Sequence, residues 1–179
     1  FPRQMGAKRI WGYATQLYSV ASRDSWGVGD LADLADLAVW SSTQQYASYI
    51  LINPLHAAQP VPPMEPSPYL PSSRRFINPI YIRPEAVPEF GALGRDERRQ
   101  VRALHKRAKA AGVKAGIVDR NAVWPLKLAA LRLSHAAGMR PARRIAYDDF
   151  RRREGAGLHN FAVWSALTEV HGQSAHSWP

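Results

Sequence analysis

Cysteine is absent from all 179 residues, which excludes disulfides, thiolate-bound metals and a cysteine nucleophile, and favours a reducing compartment, the cytoplasm. Long apolar runs are missing as well. The longest, YILINPL at 49–55, is far too short to cross a bilayer, and FPRQMGAKRI at the start has no apolar signal region, so a soluble chain with no membrane contact is expected. No P-loop, G-x-G-x-x-G, G-x-S-x-G or H-E-x-x-H occurs, and GVGD at 27–30 begins like a phosphate loop but lacks the rest. The histidines, at 56, 105, 135, 159, 171 and 176, show no metal-site spacing. Neither a metal nor a cofactor is expected.

Acidic residues are the scarcer charge, 14 against 24 Lys and Arg, for a formal net charge of +10. Seventeen of the basic residues lie between Arg95 and Arg153, in helix-spaced stretches such as RDERRQVRALHKRAKAAG. There Val101, Leu104 and Ala108 share one face while Arg98, Arg99, Arg102, Lys106 and Lys109 lie elsewhere, the pattern of a solvated helix surface. No zinc-finger spacing, RNA-binding aromatic motif or basic zipper accompanies the charge, so nucleic acid is not the expected partner.

What is present divides into two textures. From Ile10 to Pro84 strand-like and helix-like segments alternate with Pro-rich loops; from Arg95 to Trp178 the chain reads as almost wholly helical. IWGYATQLYSV at 10–20 predicts a strand ended by the polar turn ASRDSWGVGD. Asp30 then reads as the N-cap of a helix whose apolar positions are Leu31, Leu34, Ala35 and Ala38, with Asp33 at its third position, running to about Ser41 or somewhat beyond. YILINPL has the near-continuous apolar character of a strand covered on both faces. Strand, helix, strand is a βαβ unit, which implies a parallel α/β sheet, either doubly wound or a (β/α)8 barrel.

Ligands in both architectures gather at the carboxyl ends of the strands, so the loops after Val20 and Leu55 should lie on the functional face. The second contains MEPSPYLPSSRRFINPIYI, residues 64–82, with four prolines, three serines and two adjacent arginines. Proline restricts the unfolded chain and lowers the entropy cost of one shape, which suits a binding wall. Asp24, Trp26, Asn53, His56, Glu65, Tyr69, Arg74 and Asn78 supply aromatic faces beside donors and acceptors, the mixture that polyhydroxylated ligands require. Plainer roles are open to several of them. Trp26 can pack beneath its turn, one of Arg74 and Arg75 can be an ordinary surface charge, and Asn53-Pro54 can simply end a strand. Paired carboxylates for glycoside chemistry would have to come from Asp24, Glu65 or Asp148 with Asp149, none in a recommending strand-end context.

WGYATQLYSVASRDSWGVGDLADL, YILINPLHAAQPVPPMEPSPYLPSSRRFINPIYI, IVDRNAVWPLKLAAL and GLHNFAVWSALTEVHG resemble, in that order, the amylomaltases, the 4-α-glucanotransferases of glycoside hydrolase family 77. The resemblance implies the N-terminal portion of a (β/α)8 TIM barrel with helical insertions. Residues 1–94 would be its first βαβ portion with active-site loops, and 95–179 a helical insertion or linking subdomain. It also implies a retaining transfer of α-1,4-glucan segments between maltooligosaccharides through a covalent glycosyl-enzyme. The family's nucleophilic Asp and acid/base Glu have no counterpart here and are expected beyond Pro179, so no residue of this chain is assigned a catalytic role and the chain alone is expected to be inactive. The opening at Phe1 and the ending SAHSWP are read as those of a piece of a longer chain. Tyr69 corresponds to a family tyrosine lining the donor-sugar subsite; Ser67, Arg74 and Asn78 lie in the same matched loop, and Asp24 and Trp26 in the loop after the first strand. One departure is SSTQQYA at 41–47, where a glycine is expected near the end of the first helix. A hydrolytic α-glucan-active barrel and a non-catalytic glycan-binding or basic interaction domain are the alternatives. The sequence sets no oligomeric state.

Overall fold

Asp30 fixes where the first helix begins. In the computed structural model, which describes residues 9–114, 116–173 and Trp178, its side chain accepts from the amides of Ala32 and Asp33, and the Asp33 carboxylate accepts in return from the Asp30 amide. This reciprocal box satisfies donors that a helix start leaves open. The helix, α1, spans Leu31–Gln45. It connects β1, Gly12–Thr15, to β2, Tyr49–Ile52, and the two strands pair in parallel with Gly12 opposite Tyr49 and Thr15 opposite Ile52. The βαβ unit expected from the sequence is therefore present.

Three local expectations are corrected. The first strand is four residues rather than the whole of 10–20, because the chain folds into a 3-10 turn at Leu17–Ser19. Of the apolar positions of α1, only Leu34 packs against the core, while Leu31, Ala35 and Ala38 are exposed. YILINPL is not covered on both faces: Ile52 joins the core, but Tyr49 and Leu51 are exposed, since no described element lies over their side of the strand.

The glycine missing from the end of α1 is replaced by Tyr46, which takes the left-handed conformation, φ 57° and ψ 29°, and returns its amide to the Ser41 carbonyl. A Cβ makes this conformation cost about 1–2 kcal/mol. The ring is 82% exposed, so little packing opposes a change. Tyr46→Gly is expected to raise stability by about 1 kcal/mol, read as an upward shift of the denaturant midpoint; an unchanged or lower midpoint would show that the Tyr46 ring contributes to the fold.

Beyond β2 the short strand β3, His56–Ala57, pairs antiparallel with β4, Ser73–Ile77, closing the Pro-rich segment into a loop. Three 3-10 turns, Pro79–Tyr81, Pro84–Ala86 and Pro88–Ala92, lead into α2, Arg95–Ala111. A two-residue hairpin, β5 at Val113–Lys114 with β6 at Ile117–Val118, precedes α3, Arg120–Ala136, and α4, Pro141–His171.

Two apolar cores hold these elements. The first joins Leu17, Val28, Met64, Ile80 and Tyr81 to Val123 and Trp124 of α3. In the second, Trp26 and Leu93 pack with Val101 and Ala108 of α2 and Ala130 of α3, so the apolar face read in α2 is the buried one. Both cores draw on residues from each side of position 94. The approach is close where the loop after β1 meets the end of α2: a Cβ on Gly27, whose φ is +78°, would stand 2.6 Å from the Cα of Gly112. Only glycine fits that conformation and that distance.

Candidate functional site

The carboxyl ends of β1 and β2 are tied together by Asn53. Its Oδ1 accepts from the Leu17 amide at 2.6 Å, and its Nδ2 donates to the Pro54 carbonyl at 2.8 Å and the Tyr81 hydroxyl at 3.0 Å. At 3% exposure it is a staple between strand ends. Burial pushes the Tyr81 phenol up in pKa against the opposing hydrogen bond to Asn53.

Under the loop after β3, a cleft is lined by His56, Ala58, Glu65, Ser67, Pro68, Leu70, Pro71, Asn78, Tyr81 and Arg120. His56, Glu65, Ser67 and Asn78 of the sequence-derived set therefore converge. The cleft holds only about 20 Å³, enough for one water and not for a sugar ring. Larger spaces flank it. One, of about 590 Å³, lies between Met64 and Pro66 of the loop and residues 117–121. Another, of about 400 Å³, lies between Pro63–Pro66, Leu70–Ser72, Gln59 and Gln173.

The tip of the loop is built by its own polar side chains. Glu65 Oε1 accepts from the Ser67 amide at 2.9 Å, and Ser67 Oγ from the Tyr69 amide at 3.3 Å. These turns leave Tyr69 60% exposed, its ring presented to solvent at the tip. Asn78 caps the turn that follows β4, its Oδ1 accepting from the Ile80 amide at 3.0 Å. Arg74 is exposed on β4 and Asp24 is exposed in the loop after β1. Trp26 is fully buried, stacked on His105 at 5.0 Å between centroids, with its Nε1 donating to Glu85 at 2.8 Å. An enclosed ring has no face for a sugar, so Trp26 takes the plainer of its two roles and packs beneath its turn.

Behind this surface lies a cluster of charges. Arg83 bonds Asp30 at 3.1 Å through Nε and Asp33 at 2.6 Å through Nη2, while Lys127, wholly buried on α3, donates from Nζ to the Ile80 carbonyl at 2.6 Å and stands 3.8 Å from Asp30 Oδ2. Burial would raise the pKa of Asp33, but donors from Ser22, Arg83 and Ser25 overcome it and hold the carboxyl below its usual range. Burial pulls Lys127 down to about 8, with the Asp30 carboxylate opposing the fall. The cluster spans the loop after β1, the turns after β4 and α3, so it supports from behind the backbone on which Asn78 and Tyr81 stand.

Tyr81 and Arg120 are the cleft residues that sequence reasoning passed over. Arg120 lies 4.4 Å over the Tyr18 ring and borders the neighbouring 590 Å³ space as well. Its position in IVDRN, one residue past the Asp119 that follows an apolar pair, was the available signal. Tyr81 sits two residues after the last proline of the quoted loop, in a 3-10 turn where Ile80 and Tyr81 are both buried, and no local pattern marked it.

The chain is 48% identical over 184 aligned residues to a 4-alpha-glucanotransferase of Mycobacterium tuberculosis strain H37Rv, an alignment covering 99% of this chain and 25% of that protein. It is 40% identical over 135 residues to a 4-alpha-glucanotransferase of Haemophilus influenzae, covering 73% of this chain and 18% of the relative. The crystal structure of amylomaltase from Corynebacterium glutamicum superposes with a TM-score of 0.82 at 43% identity, over 94% of this chain and 24% of that one. The chain thus spans about a quarter of the length of the mycobacterial and corynebacterial proteins it matches. The glycoside hydrolase 77 family model, 4-alpha-glucanotransferase, matches residues 15–179, and the chain belongs to that family.

Proposed function

We propose that this chain is the part of a 4-α-glucanotransferase that forms the front wall of the donor-sugar site. The parent enzyme would transfer α-1,4-glucan segments between maltodextrins by a retaining double displacement. The observation that carries this reading is the 48% identity to a 4-alpha-glucanotransferase across 99% of the chain. Residues 1–94 then supply the first βαβ portion of a (β/α)8 barrel and residues 95–179 a helical insertion. The exposed Tyr49 and Leu51 of β2 fit that reading, because in a (β/α)8 barrel both faces of a strand are covered, one by the packed interior and one by the outer helices. Tyr69, Ser67, His56, Arg74, Asn78 and Asp24 are the donor-side residues; Asn53 acts by holding the strand ends that carry them.

In the chemistry proposed, a carboxylate attacks the anomeric carbon while a second carboxyl group protonates the leaving oxygen and later deprotonates the acceptor hydroxyl. Both carboxyl groups would come from the rest of the parent protein. The contribution of this chain is orientation, and holding the reacting sugar in place is worth orders of magnitude in rate. No described helix is long and apolar enough to cross a membrane; the proposed place of work is the cytoplasm.

The test is to incubate the full-length parent with maltotriose and follow glucose and longer maltodextrins. Transfer predicts both products together. Glucose and maltose without longer chains would favour a hydrolase, and no turnover of any maltodextrin would overturn the proposal.

A further inference from the structure

The helix α4 is interrupted at Gly155, whose φ of 58° and ψ of −142° belong to a region open essentially to glycine. Such a break leaves carbonyls of the preceding turn without their usual partners. Arg75 of β4 reaches this break. Its Nη2 donates to the Glu154 carbonyl at 3.0 Å and to the Glu154 carboxylate at 3.0 Å, and its Nε donates to the same carboxylate at 3.3 Å. Beside it Phe76 stacks on Phe161 of the second half of α4, with centroids 4.6 Å apart. Gly157 makes room for the guanidinium, since a Cβ placed there would collide with Nη1 of Arg75. Past the far end of α4, Gln173 Nε2 donates to the Pro63 carbonyl at 2.8 Å, at the other flank of the Pro-rich loop.

From this geometry we infer that Arg75 is a positioning residue: by capping the break in α4 it fixes β4, and through β4 the loop whose tip carries Tyr69. The inference rests on the donor-site reading of Tyr69 for its effect on sugar transfer, but the clamp itself does not. Arg75 is 54% exposed at its side chain, and exposed ion pairs add little to stability. Its role is therefore expected to be visible in where the loop stands and how often it opens, and hardly at all in the melting temperature. The geometry also separates the two neighbouring arginines: Arg74 is exposed on the strand, whereas Arg75 has a backbone carbonyl and a carboxylate as fixed partners.

The experiment uses the full-length protein and measures amide hydrogen exchange at Ser72 and Asn78, whose amides bond the Ala57 and Leu55 carbonyls at either side of the β3–β4 pair. It is run with maltotriose transfer kinetics and melting curves. Arg75→Ala removes the clamp. Gly157→Ala expels it while leaving Arg75 in place and favouring the helix. Each should speed exchange at Ser72 and Asn78 by about tenfold, and lower kcat/KM by about three- to tenfold. The melting temperature should stay within about 2 °C. Arg75→Lys should fall between, because a lysine cannot hold carboxylate and carbonyl in one fork, and Arg99→Ala, which breaks an exposed pair on α2, should change nothing. Unchanged exchange in both Arg75→Ala and Gly157→Ala would overturn the clamp, and faster exchange with normal transfer would overturn its link to the sugar. A wild type inactive on maltodextrins would count against the proposed function alone, since exchange still decides the clamp.

Discussion

Asp30→Ala is expected to destabilise the protein by about 3–5 kcal/mol, because it leaves the buried Lys127 without its nearest carboxylate and takes from Arg83 one of its two, Asp33 remaining. Asp30 is fully buried, caps α1, accepts from Arg83 and is the carboxylate nearest Lys127. Bringing these charges out of water is costly, and mutual attraction with complete hydrogen bonding offsets the cost only while every member is present. Asp30→Asn separates the contributions. It can still cap the helix, a part worth about 1 kcal/mol, but it loses the charge, so most of the loss should remain. Denaturant midpoints of wild type and both variants measure it. A loss below about 1 kcal/mol in Asp30→Ala, within the range of an ordinary cap, would show that the cluster contributes nothing beyond capping.

Tyr69→Ala is expected to lower kcat/KM for glucan transfer in the full-length enzyme by roughly 10²-fold, the scale on which a misplaced reacting group slows an enzyme. Stability should barely change, since the ring is 60% exposed, whereas removal of a buried aromatic costs about 3–5 kcal/mol. The two quantities must be read on one preparation. Near-normal turnover with a large fall in melting temperature would make Tyr69 a packing residue and deprive the loop of its proposed role. Normal values of both would leave the tip without a function in transfer.

Local rules carried much of the architecture. Asp30 and Asp33 announced the start of α1 because capping acts over three residues, and the spacing of Val101, Leu104 and Ala108 announced the buried face of α2. The same carboxylates were legible only as a cap. Their partner Arg83 lies fifty residues away in sequence from Asp33, and nothing local marks such a pairing. Lys127 was hidden differently: it shares the stripe of Val123, Ala130 and Ser134, all buried, but a cation on an apolar helix is normally read as pointing outward. Attention to that three- and four-residue spacing would have found it. At the candidate site the quoted loop was recognisable from its prolines and serines, whereas the fates of Trp26 and Asn53 depended on what closed over them. Trp26 meets His105 and Glu85, and Asn53 meets Tyr81, contacts that only the folded chain brings about.

The enclosure of the Asp30, Asp33, Arg83 and Lys127 cluster also sets its response to dissolved salt. Mobile ions screen charges in water over about 8 Å at physiological ionic strength, but they do not enter a packed interior. Pairs such as Arg99 with Asp96 and Arg132 with Glu169, whose side chains stand 40–75% exposed, fade as salt is added, while the interior quartet keeps its full attraction. The unpaired cations crowded on the helical surface repel one another, and that repulsion is what salt relieves first. A protein so divided holds its essential ion pairs where the medium cannot reach them and leaves its excess charge where the medium can.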